Sequence, residues 1–90
     1  MSILEEAEAL IDGDRAKDYG DMNESFTRIA GLWGAYLGVN IDKYDVAKMM
    51  MLLKVSRSKN SNHYDSLVDI VGYCLCVEKM MEEKQKENSL

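Results

Sequence analysis

Residues 42–59 read DKYDVAKMMMLLKVSRSK, and they carry a start, a body and an end for one helix. Asp42 stands where a side-chain oxygen can accept from the first free amides, and Asp45 follows at the third helical position. Apolar side chains dominate Val46 to Val55. Lys54, Arg57 and Lys59 then close the segment with cations that suit the negative end of a helix dipole. The segment predicts a helix whose last turns are basic. No proline occurs anywhere in the 90 residues, so nothing forbids further long helices.

Toward the N-terminus the same signs recur. Asp21 and Glu24 form a capping-box pattern, and Phe26, Ile29, Ala30, Trp33 and Leu37 supply an apolar stripe ended by Gly38. Before it, the stretch from Asp12 to Asp21 is rich in turn formers and charge, with Tyr19 embedded. Ser2 and Glu5 make another capping box, opening a first helix to about Ile11 with Ile3, Leu4, Ala7, Leu10 and Ile11 at helical spacing. Toward the C-terminus, Ser58 to Asn62 is the clearest loop. A last helix starts near His63 and extends to Lys86, with the polar tail beyond Glu82 expected to fray. No β-alternation of useful length and no internal repeat occurs. The prediction is a single all-α domain over residues 1–90, an antiparallel bundle of about four helices. Phe26, Ile29, Trp33, Met50, Leu53, Leu67, Val71 and Leu75 are its expected core.

Composition excludes several classes. With 47% hydrophobic and 30% charged residues the chain is too apolar for disorder. An apolar run such as Met49–Leu53 is far too short to span a membrane. Met1-Ser2-Ile3-Leu4 leads straight into Glu5 and Glu6 without a signal segment, and Cys74 and Cys76 read as reduced thiols, so a cytoplasmic protein is expected. The net charge of −5 argues against duplex nucleic acid as a partner. That charge is segregated: residues 1–24 hold eight acids against two bases, and residues 43–59 hold five bases against one acid. Met49, Met50 and Met51 point three ways from one helix, and with Trp33 and Tyr36 they suggest a homo-oligomer. A chain this small makes half a pocket more readily than a whole one.

Three constellations can carry chemistry. Asp65 and Asp69 lie at i, i+4, one turn apart on one helix face, where a divalent ion such as magnesium would relieve their repulsion. Alternatively, Asp65 favours the helix N-terminus and Asp69 pairs with a lysine or arginine of the third helix. Arg15, Lys17 and Tyr19 can hold a phosphate and stack on a base, or simply form an interhelix turn. Lys54 and Arg57, at i, i+3, can clamp phosphate oxygens or merely complement the dipole. His63 reads as a helix-start residue, and Ser56, Ser58 and Ser66 lack any nucleophile context.

Together the segments form a pattern: Arg15-x-Lys17-Asp18-Tyr19-Gly20, Phe26-x-x-Ile29, Trp33-x-x-Tyr36-Leu37-Gly38, Asp45-Val46-Ala47-x-Met49-Met50, Leu53-Lys54-x-x-Arg57 and Asp65-Ser66-x-x-Asp69-Ile70-x-Gly72-Tyr73. Over roughly residues 3–80 it resembles an uncharacterised family of short proteins encoded by tailed phages and prophages. More distantly it is similar to a phage domain associated with nucleotide modification, and through that to the MazG-type all-α nucleotide pyrophosphohydrolases. The resemblance implies a MazG-like bundle completed by oligomerisation, in the cytoplasm of an infected or lysogenic bacterium. It implies magnesium at Asp65 and Asp69, with Lys54 and Arg57 near phosphates. The chain departs from the MazG pattern where a Glu-Glu-x-x-Glu helix belongs: the third helix has only Asp45, then Lys48. Gly72 stands in place of the asparagine of the nucleotide-modification domain. The expected function is therefore a phage accessory protein that binds nucleotides or nucleotide-derived small molecules. The alternatives are a magnesium-dependent nucleoside triphosphate pyrophosphohydrolase and a module that binds and inhibits a host or defence protein.

Overall fold

The first amides of each helix find acceptors in the side chains just before or within its first turn. In the computed structural model, which describes residues 2–12 and 21–89, the helices are α1 (Ile3–Asp12), α2 (Met22–Leu37), α3 (Lys43–Arg57) and α4 (Tyr64–Ser89). At α1 the Glu5 amide donates to Ser2 Oγ at 3.1 Å while the Ser2 amide reaches Glu5 Oε1 at 3.3 Å. At α3 the Asp45 amide donates to Asp42 Oδ1 at 2.9 Å and the Asp42 amide to Asp45 Oδ2 at 3.0 Å, a complete capping box. At α2 the Asp21 carboxylate accepts from the Asn23 amide at 2.9 Å, one position earlier than a capping box uses. The Asn23 side chain reaches across to α3, and its Oδ1 accepts from Lys43 Nζ at 2.6 Å, tying the starts of α2 and α3 together.

Gly38 ends α2 at φ +72°, and its amide and that of Val39 both return to the Gly34 carbonyl. The chain then folds back so closely that a Cβ on Gly34 would lie 2.8 Å from the Val39 carbonyl oxygen. Both glycines are required by geometry, one by its dihedral and one by contact. Gly38→Ala should lower the unfolding free energy by about 1 kcal/mol, the cost of a Cβ in the left-handed region. A urea titration that finds no loss would refute this account of the turn.

The four helices are packed together, and no strand occurs among the described residues. α4 packs along both α1 and α3, and α2 packs on α3. Lys54 meets Asp69 and Met51 meets Cys74, so α3 and α4 run in opposite directions. The helix of α4 continues through Ser89, past the Lys86 where its sequence pattern ends.

Ile11, Phe26, Ala30, Val46, Ala47, Cys76 and Met80 form one buried cluster, with the Phe26 and Tyr73 rings 6.2 Å apart across it. Of the expected core, Phe26 is buried and Ile29, Trp33, Met50, Leu67, Val71 and Leu75 are half-buried. Leu53 departs from expectation: it is 51% exposed. It lies on the same helical row as Val46 and Met50, but the buried contact of α2 with α3 is made at Val46 and Ala47. The row runs out from under its cover.

Candidate functional site

The helix pair α3–α4 is joined by only a short loop, which places the basic end of one helix beside the first turns of the next. A cleft of about 520 Å³ opens there, and Leu10 of α1 forms its apolar wall with Val68. Its polar lining is Lys54, Arg57, His63, Asp65, Ser66 and Asp69. Four residues singled out by spacing alone, Lys54, Arg57, Asp65 and Asp69, therefore meet at one opening. Arg15, Lys17 and Tyr19 lie outside the described residues.

Lys54 Nζ stands 3.0 Å from Asp69 Oδ2, with the two side chains 15% and 26% exposed. Asp69 thus pairs across to the third helix, one of the two arrangements its position allows. Asp65 is exposed in the first turn of α4, where a carboxylate is favoured by the helix dipole. Arg57 is exposed, and no carboxylate pairs with it among the described residues. Of the two cations at the cleft, one is committed and one is open.

His63 and Ser66 were not expected in the site. His63 Nδ1 accepts from the Ser66 backbone amide at 3.3 Å and lies 2.9 Å from Ser66 Oγ. Because the amide can only donate, Nδ1 is the acceptor in this contact. His63 therefore caps α4. Ser66 is 1% exposed, so its hydroxyl secures the cap and cannot reach a substrate. The sequence signal for this was the i, i+3 spacing of His63 and Ser66 at a helix start, which imidazole can serve much as a carboxylate does. Nearby, the Tyr64 hydroxyl donates to Glu6 Oε2 and fastens α1 to the start of α4. That hydrogen bond, with the charges of Glu6 and Asp65, raises the Tyr64 hydroxyl above the ordinary tyrosine value.

Asp65 and Asp69 are the residues at which magnesium is expected. Magnesium keeps several of its waters and is usually held by one or two carboxylates together with substrate phosphates. Here Asp65 and Asp69 are two carboxylates, one already neutralised by Lys54. Among the described residues no group of three His, Cys, Asp or Glu side chains is placed to hold a metal ion.

The model for a domain of unknown function, DUF6378, matches residues 2–81. The chain belongs to the DUF6378 family. This DUF6378 chain is 55% identical over 82 residues to the Gene 55 protein of Mycobacterium phage L5, covering 89% of this chain and 53% of that protein. It is 48% identical over 83 residues to the Gene 55 protein of Mycobacterium phage D29, covering 91% of this chain and 55% of that one. The chain spans about half the length of these curated relatives. The likeness to phage proteins expected from its motifs is thus found. No solved structure matches it. Among the described residues, no helix is long and apolar enough to cross a membrane.

Proposed function

We propose that this DUF6378 chain is a phage accessory protein that binds nucleotides or nucleotide-derived small molecules at the α3–α4 cleft, without hydrolysing them. The observation that carries the reading is the convergence of Arg57, Lys54, Asp65 and Asp69 on one opening at the start of α4. The Arg57 guanidinium, with which no carboxylate pairs among the described residues, offers a planar fork to phosphate oxygens. The N-terminus of α4 adds the positive end of a helix dipole on the same side. Asp65 supplies an acceptor for ribose hydroxyls or a base amino group. The distant likeness to MazG-type enzymes supports a nucleotide as the ligand, and the two-carboxylate set favours holding over cutting.

Calorimetry against nucleoside mono-, di- and triphosphates and cyclic dinucleotides, with and without magnesium, tests it. Heat is expected from at least one of them, and Arg57→Ala should weaken that binding tenfold or more, about 1.4 kcal/mol. Absence of heat from every compound removes the proposal. Magnesium-dependent release of pyrophosphate from a triphosphate, lost in Asp69→Asn, would replace it with the pyrophosphohydrolase reading.

A further inference from the structure

The Tyr44 hydroxyl is buried and has no hydrogen-bond partner among the described residues. A phenylalanine would fill the same space without desolvating a hydroxyl, so this oxygen weakens the free chain rather than holding it together. The ring is also held where it stands. It packs against the core cluster, and the Lys43 ammonium, itself fixed by Asn23, lies 5.4 Å from its centroid. The fold places the hydroxyl and then gives it nothing to bond.

Tyr44 lines a groove of about 430 Å³ between the start of α3 and the end of α4. It lies ten residues before Lys54, roughly 15 Å along α3 from the Lys54 cleft. Tyr44 and Lys48 face the groove at i, i+4 on α3, and Val77, Met81 and Lys84 face it at i, i+4, i+7 on α4. Val77 is half-buried and Met81 is 53% exposed, which gives the groove an apolar bed. Lys48 and Lys84 are exposed, and neither pairs with a carboxylate among the described residues. Asp42 and Asp45 stand at the same opening, but each gives an oxygen to the capping box and sits at the positive end of the α3 dipole. The uncommitted charges are therefore two ammonium groups.

We propose that this groove binds a small organic carboxylate with an apolar body, an aromatic or aliphatic acid, whose carboxylate accepts from the Tyr44 hydroxyl. Lys48 on one helix and Lys84 on the other attract the anion, and a hydroxyl with no competing partner gives it a charge-assisted hydrogen bond. The body lies on Val77 and Met81, and the unbranched thioether adapts to its shape. The volume falls within the range of small-molecule pockets. The hydroxyl lies below the groove surface, and the side chains at the mouth, Lys48, Met81 and Lys84, are long and unbranched, so they part at little cost.

Amide chemical shifts of the nucleotide-free chain, titrated with benzoate and with octanoate at millimolar concentration, test this apart from the nucleotide reading. Saturable shifts are expected at Tyr44, Lys48, Val77 and Met81, and not from Lys54 to Asp69. Acetate, which lacks the body, and benzyl alcohol, which lacks the charge, should bind at least tenfold more weakly. Tyr44→Phe should weaken the acid tenfold or more, yet leave the melting temperature of the free chain unchanged or higher, because it removes only an unsatisfied hydroxyl. Lys48→Met should weaken the acid as well. The proposal is overturned if neither acid gives saturable shifts at this groove, or if Tyr44→Phe binds as tightly as the native chain. A Tyr44→Phe chain that melts lower also overturns it, since the hydroxyl would then be serving the fold.

Discussion

Met80→Ala should lower the unfolding free energy by about 2–5 kcal/mol, whereas Met81→Ala should change it by no more than about 0.5 kcal/mol. The two residues are neighbours of identical chemistry on α4, and only burial separates them: Met80 is 2% exposed and Met81 53%. Met80 lies in the same cluster as Ile11, Phe26, Ala30, Val46 and Ala47, so it touches the shared core of all four helices. Several of those neighbours are too small to close over a lost side chain, and a cavity would remain. A domain of this size has only about 5–10 kcal/mol in hand, so the first variant should be severely weakened. Urea titrations of both variants, with the slope unchanged, give the comparison. Equal losses would mean that Met80 does not hold the core together.

That pair also marks where sequence reading stops. Helix ends were legible because capping chemistry is local: Ser2 with Glu5, Asp42 with Asp45, and the left-handed Gly38 depend only on near neighbours. Adjacent apolar residues such as Met80 and Met81 both fit a helical stripe, and only the position of α1 and α2 decides which is inside. Leu53 failed for the same reason, since its phase was right but its cover depends on where α2 crosses α3. The cleft was partly legible. Lys54 and Arg57 end one helix and Asp65 and Asp69 begin the next, so a short loop brings them together almost irrespective of the rest. Leu10 and the Glu6–Tyr64 bond enter from far along the chain, and no spacing rule connects them. His63 was read correctly as a helix-start residue, but its place in the lining depends on the same tertiary packing.

The Lys54–Asp69 pair separates a salt bridge from a metal site by experiment. At 15% and 26% exposure it lies between surface pairs, worth about 0.2–1 kcal/mol, and buried ones, whose rupture costs about 3–5 kcal/mol. Lys54→Met, which keeps the length of the stem, should therefore cost about 1–2 kcal/mol. Asp69→Asn should cost a similar amount, and the double variant should cost less than the sum, by about 1 kcal/mol of coupling. Magnesium adds the decisive contrast. In the native chain Lys54 already satisfies Asp69, so millimolar magnesium should leave the melting temperature unmoved. In Lys54→Met the carboxylates of Asp65 and Asp69 stand one turn apart without a cation between them, and magnesium should restore part of the lost stability by binding only the folded form. Stabilisation of the native chain by magnesium, abolished in Asp69→Asn, would show that the lysine yields to the metal and would return the cleft to the metal-dependent class.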